Sequence, residues 1–209
     1  MKIVVTRAHD QAEPLVERLR RLGHEVAVCP LIEIEPIGPA EVDVSGYDWL
    51  IVTSANAAGE LTRRMRGHPA RVAAIGSGTA AALAGKVDLV PRVSTQEGLL
   101  AELPRPAGRV LFAGAEGARR LLVDELEADF VALYRTTELT PAGFPEADLV
   151  VLASPSAARA YGRLRLSIPA VSIGPETTAA AEALGVRVAC EAETHDLEGL
   201  VDAVSQATG

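Results

Sequence analysis

The chain has 209 residues, 48% of them hydrophobic and 3% aromatic, with a net charge of −8. That is ample apolar content for a folded core, while the acidic balance argues against nucleic acid and anionic membrane surfaces as partners. Scarce aromatic rings exclude a site built on stacking, and no apolar run reaches the roughly 18 residues of a membrane span.

From the N-terminus, short continuous apolar runs alternate with Ala-, Leu- and Arg-rich stretches of helical period. The first run, 3–6, is too brief for the core of a signal peptide, which places the protein in the cytoplasm. A helix at 11–22 and a strand at 26–29 follow. Further strands fall at 49–53, 72–75, 87–90, 110–113, 130–133, 149–153, 171–174 and 186–189. Helical patterns occupy 55–65, 79–84, 118–127, 156–164 and 177–184. Strands apolar on both faces, interleaved with helices, predict an α/β protein with parallel sheets.

The chain also repeats itself. VAVCPLIEIEP (26–36) aligns with VALYRTTELTP (131–141), and YDWLIVTSANAA (47–58) with ADLVVLASPSAA (147–158). IGSGTAAAL (75–83) resembles IGPETTAAAEAL (173–184), and TQEGLLAEL (95–103) resembles THDLEGLVDAV (194–204), with Gly98 and Gly199 in register. Four matches in one order indicate a doubled unit of about five strands per copy. Loop lengths put 38–134 in one domain and 1–30 with 142–209 in the other. The Pro-ended segments 31–37 and 135–141 then run between them, paired as a two-stranded hinge.

Ligands of open parallel sheets bind beyond the carboxyl ends of the strands, where helices begin with unpaired N–H groups. Small polar residues cluster at six such junctions. These are Thr6-Arg7, Thr53-Ser54-Ala55-Asn56, Gly76-Ser77-Gly78-Thr79, Gly114-Ala115, Ser154-Pro155-Ser156 and Gly174-Pro175-Glu176-Thr177-Thr178. Each taken alone reads as a helix cap. Together they suggest a cleft lined by N–H groups and hydroxyls, suited to a polyanion. Tyr134 ends the strand 130–133, where the other copy has Cys29. It reads either as a plug at the domain boundary or as a phenolic donor. Arg7, Arg119 and Arg120 follow strand ends and could bind carboxylates or simply be solvated. The chain has no complete dinucleotide fingerprint, P-loop, nucleophile elbow or CxxC pair. Its histidines, His9, His24, His68 and His195, lack metal-ligand spacing and read as surface residues.

In their order and spacing, VTSANAA (52–58), AIGSGTAAAL (74–83), TQEGLLAEL (95–103), GRVLFAGAEGARRLL (108–122), YRTTEL (134–139), VVLASPSAARAY (150–161) and VSIGPETTAAAEALG (171–185) resemble the uroporphyrinogen-III synthase family. The resemblance implies two flavodoxin-like parallel-sheet domains from an internal duplication, joined by a two-stranded β hinge. It further implies cyclisation of hydroxymethylbilane, a linear tetrapyrrole with eight carboxylates, to uroporphyrinogen III, with loss of water and inversion of ring D. No cofactor or metal is implied, and the chain is expected to act as a monomer. Tyr134, at the YR-type linker motif, is the implied aid to hydroxyl departure. Thr53, Ser54, Gly76, Ser77, Ser154, Ser156, Thr177 and Thr178 would hold acetate and propionate groups. Ala55-Asn56 departs from the Pro-Arg or Gly-type residues common in the family at that point. Two other readings compete: a non-catalytic two-lobed module for a small polyanionic ligand, and a tandem receiver-like protein. The latter lacks the acidic cluster it would need after the first strand.

Overall fold

The computed structural model describes residues 1–208. In chain order the first half carries β1 (Lys2–Val5), α1 (His9–Arg21), β2 (Glu25–Val28), β3 (Ile32–Pro36), β4 (Val42–Asp43), β5 (Trp49–Val52), α2 (Ala55–Arg64), β6 (Met65–Arg66), β7 (Arg71–Ala74), α3 (Ser77–Ala82) and α4 (Gln96–Glu102). The second half carries β8 (Val110–Ala115), α5 (Leu121–Leu126), β9 (Asp129–Glu138), β10 (Leu149–Leu152), α6 (Pro155–Arg163), β11 (Ala170–Ser172), α7 (Pro175–Glu182), β12 (Val188–Glu191) and α8 (Leu197–Thr208). The chain divides into two compact units: Met1–Ile34 with Thr137–Gly209, and Glu35–Thr136.

In the first unit the sheet order is β12-β11-β10-β1-β2, with every pair parallel. One face packs Ile3, Val5 and Val171 under Leu15, Leu19, Leu200 and Val204 of α1 and α8. The other packs Val4, Val150 and Leu152 under Tyr161 of α6 and Ala181 of α7. With both faces covered, β10 reads LVVL and all four residues are buried. In the second unit the order is β3-β9-β8-β5-β7, with β9, β8, β5 and β7 parallel. Its β5, WLIV, is likewise buried throughout, and Trp49, Ile51 and Phe112 pack beneath Leu99, Leu103 and Leu122.

The sequence repeat explains this topology. β1 and β2 come from the first copy but share a sheet with β10, β11 and β12 of the second, joined by the β1–β10 pair. Reciprocally, β8 and β9 of the second copy share a sheet with β5 and β7 of the first, joined by the β8–β5 pair. The first unit thus has the strand order of a doubly wound sheet, 2-1-3-4-5 counted by repeat; the second, permuted along the chain, has 2-1-3-4 with β3 added beyond strand 2. Both chain crossings fall inside strands, at 34/35 in β3 and 136/137 in β9. These two strands are sheet neighbours running antiparallel, since Ile37 N–H donates to the Leu133 carbonyl at 3.0 Å and Leu139 N–H to the Leu31 carbonyl at 2.8 Å.

Beyond helices α4 and α8, which the helical patterns leave out, three elements differ from the sequence reading. The segment 87–90 contributes one bridge, Leu89 to Ala73, in place of a strand. The Asp88 carboxylate takes the Val72 N–H at 2.9 Å, where a backbone carbonyl would extend the ladder, and Pro91 has no N–H to give. Second, helix α5 begins at Leu121, the segment 116–120 before it forming a turn and an irregular bend after β8. Third, β4 and β6 form a two-residue parallel pair that no periodicity announces. The paired glycines of the repeat have a steric cause. A Cβ on Gly98 would lie 2.1 Å from the Val93 carbonyl oxygen, and one on Gly199 would lie 2.0 Å from that of Thr194. Each helix, α4 and α8, is thereby held against the loop that leads into it.

Candidate active site

Parallel strands gather all their carboxyl ends at one edge, and the helices that follow begin there. In the second unit that edge carries Thr53 and Ser54 after β5, Gly76 and Ser77 after β7, and Gly114 in β8. Ser54 is the N-cap of α2, its Oγ accepting from Ala57 N–H at 3.1 Å. Gly76 caps α3 in extended backbone with no side-chain partner for the first turn. Tyr134 reaches the same edge from β9: it is 7% exposed and its phenol donates to Ser54 Oγ at 3.0 Å. The Asn56 side chain is a second hydrogen-bond partner of that phenol. Burial raises the Tyr134 pKa, with the bonds to Ser54 and Asn56 opposing, so the phenol holds its proton at neutral pH. The result is a buried proton donor joined to a hydroxyl and an amide at a helix N-terminus.

The first unit presents the corresponding edge. Ser154 caps α6 by accepting from Ala157 N–H at 3.2 Å, and Pro155 occupies the first turn, where a missing N–H costs nothing. Ser156 Oγ accepts from Arg159 at 3.0 Å. Gly174 starts α7, again with no side-chain cap. Thr177 is buried, and Thr178 Oγ1 lies 2.6 Å from Ser172 Oγ and bonds Glu191. Thr6 is fully buried and its hydroxyl donates to the Val151 carbonyl at 2.8 Å, so it offers a ligand nothing from its side chain. Arg7, next along, is different. Its Nε is buried with no hydrogen-bond partner, and burial pulls its pKa below the usual value against the pull of Asp10.

The two other candidate arginines are engaged elsewhere. Arg119 pairs with Glu97 at 2.8 Å, and Arg120 lies over the Phe130 ring at 4.9 Å. His195, read as a surface residue, lies against Gly174, where an added Cβ would sit 2.8 Å from its Cδ2. Register in the repeat was the available signal: Gly98 and Gly199 in step set His195 opposite Ser94, which stands 3.0 Å from the equivalent Cβ on Gly76. A depression of about 750 Å³ lies at the opposite edge of the first sheet, lined by residues that include Lys2, Glu25, Glu146 and Asp148. Its carboxylates make it a poor host for an anion. Among the described residues no helix is long and apolar enough to cross a membrane.

The profile of one family, described as uroporphyrinogen-III synthase HemD, matches residues 13–202. The chain is 28% identical to a uroporphyrinogen-III synthase of Synechococcus elongatus, across 98% of this chain and 94% of that one. Its fold is similar to crystal structures of uroporphyrinogen III synthase from Thermus thermophilus. A mutant form aligns with a TM-score of 0.66 at 16% identity, covering 100% of this chain and 98% of the other. The wild type in a second crystal form gives 0.51 at 17% identity over the same shares. The chain belongs to the uroporphyrinogen-III synthase family.

Proposed function

We propose that this protein is a uroporphyrinogen-III synthase, closing hydroxymethylbilane to uroporphyrinogen III with loss of water and inversion of ring D. The observation that carries the reading is the family match over residues 13–202, nearly the whole chain. The strand-end geometry supplies the chemistry. Departure of the terminal hydroxyl as water breaks a C–O bond and needs a proton, and Tyr134 is a buried, protonated phenol at a carboxyl edge. The proton it gives up is replaced by the one released on ring closure. Ser54 and Asn56 orient the phenol. First-turn N–H groups at Gly76–Gly78 and at Gly174 and Glu176, with the hydroxyls of Ser77, Ser154, Ser156 and Thr177 beside them, hold substrate carboxylates. Because the substrate also closes unaided to the symmetric isomer I, holding it in one conformation matters as much as speeding the closure.

In this reading the enzyme works as a cytoplasmic monomer on a small molecule, without nucleic acid or a membrane. Its net charge of −8 fits the absence of polyanionic surfaces among its partners. The test supplies porphobilinogen and a hydroxymethylbilane synthase, adds this protein, oxidises the products and separates the porphyrin isomers. Predominant isomer III is expected. Isomer I alone, from protein shown to be folded, refutes the synthase reading and leaves a polyanion-binding module.

A further inference from the structure

The two carboxyl edges are built on one plan, yet they differ in side chain at two matched positions. Sheet register pairs Ile3 with Leu149 in the first unit and Val110 with Trp49 in the second. Since Leu149 and Trp49 correspond in the repeat, Ile3 corresponds to Val110 and Arg7 to Gly114. The first unit therefore carries a guanidinium where the second carries glycine. The second matched position is His195, against Gly174, where the other copy sets Ser94 against Gly76. At both places the first unit carries a side-chain nitrogen where the second has none.

Arg7 is also incomplete as it stands. Its Nε is sealed from water with no partner, and among the described residues the guanidinium forms no ion pair within salt-bridge distance; Asp10 acts on it only through its field. A half-buried cation with one N–H sealed from water and unpaired is unfavourable until a counter-ion arrives. A carboxylate meets that need side-on, across Nε–H and one Nη–H. Next to it, the N-cap of α1 is Ala8, which has no side chain to cap the helix, so first-turn N–H groups remain beside the guanidinium.

We infer that Arg7, with His195 as a second donor, makes the carboxyl edge of the first unit a carboxylate-recognising site. This rests on the synthase reading for the identity of the carboxylates but not for their binding. Fluorescence titration with uroporphyrin I, a stable octacarboxylate macrocycle that cannot undergo the reaction, isolates the binding. Arg7→Gln is expected to weaken its affinity about tenfold or more, the usual worth of a charge-assisted hydrogen bond, and to raise KM for hydroxymethylbilane more than it lowers kcat. Its melting temperature should be unchanged or higher, because a sealed, unpaired N–H is removed; a merely structural Arg7–Asp10 tie predicts the opposite. Arg7→Lys keeps the charge without the fork and should bind with intermediate affinity, which serves if Arg7→Gln fails to fold. His195→Ala should weaken binding by a smaller factor. Uroporphyrin I affinity unchanged in Arg7→Gln, or no saturable binding by the wild type, overturns the carboxylate site. A wild type that makes no isomer III yet loses uroporphyrin binding in Arg7→Gln upholds the carboxylate site and overturns the reaction.

Discussion

Replacing Tyr134 with Phe separates chemistry from folding. The substitution removes one hydroxyl from a side chain that is 7% exposed, and with it the 3.0 Å bond to Ser54 Oγ. Ser54 is not orphaned, because its Oγ still accepts from Ala57 N–H at 3.1 Å. The stability loss should therefore be that of one net hydrogen bond, about 1 kcal/mol, or roughly 2–4 °C in a protein of this size. Losing a general acid is far larger, about 10²–10⁴ in rate. The isomer assay should accordingly show kcat down by about a hundredfold, while circular dichroism melting moves only a few degrees. Because burial raises the Tyr134 pKa, the wild-type rate should also show no loss of the acid form below the ordinary tyrosine value of 10.0. A Tyr134→Phe enzyme with full turnover would remove the phenol from the mechanism. A rate loss matched by wholesale unfolding would show that the residue is a plug.

Three further outcomes follow from the packing. Gly98→Ala drives a Cβ to within 2.1 Å of the Val93 carbonyl and should cost about 1–3 kcal/mol, read by urea denaturation; a neutral result would mean that α4 shifts freely. Arg64→Ala removes the donors to the Ile37 carbonyl and to Glu60, each at 2.5 Å, and leaves Glu60, 8% exposed, with Arg63 alone. Thermal melting should report a loss of about 2 kcal/mol. Tyr161, fully buried and bonded to the Ile168 carbonyl at 2.8 Å, has its pKa pushed up to about 12 by burial. The unfolded chain ionises first as pH rises, so this contribution is complete below pH 10 and declines by about 2 kcal/mol on the way to pH 12. Tyr161→Phe should flatten that part of the stability profile; a slope identical to wild type would assign it to other groups.

Much of the fold was legible because burial on both faces of a parallel sheet leaves a plain signature. WLIV at Trp49–Val52 and LVVL at Leu149–Leu152 could hardly be anything else. Where side chains substitute for the backbone ladder, as Asp88 does at Val72, the apolar run 87–90 misleads. At the site, Ser54 and Ser154 were visible as strand-to-helix polar residues, since capping is a local effect between neighbours three apart. The Tyr134–Ser54 bond joins residues 80 apart, and no local pattern encodes it. Thr6 stands at a strand end, but its side chain faces inward and donates to the Val151 carbonyl. Position along the strand was readable; which face the side chain took was not. His195 was hidden for a related reason, because its neighbour Gly174 is near only after β11 and α8 have docked.

The crossing of the chain inside β3 and β9 has a consequence during synthesis. β1 forms the interior of its sheet, flanked by β2 and β10, yet β10 begins at Leu149. A growing chain on the ribosome can complete the unit spanning Glu35–Thr136 while Met1–Ile34 still waits for its remaining strands. For that interval Ile3, Val4 and Val5, which end at most 1% exposed, have only β2 and α1 to cover them. Translation speed through residues 137–172, and any chaperone able to shield an apolar strand, should govern the yield of native protein more than the stability of the finished fold does.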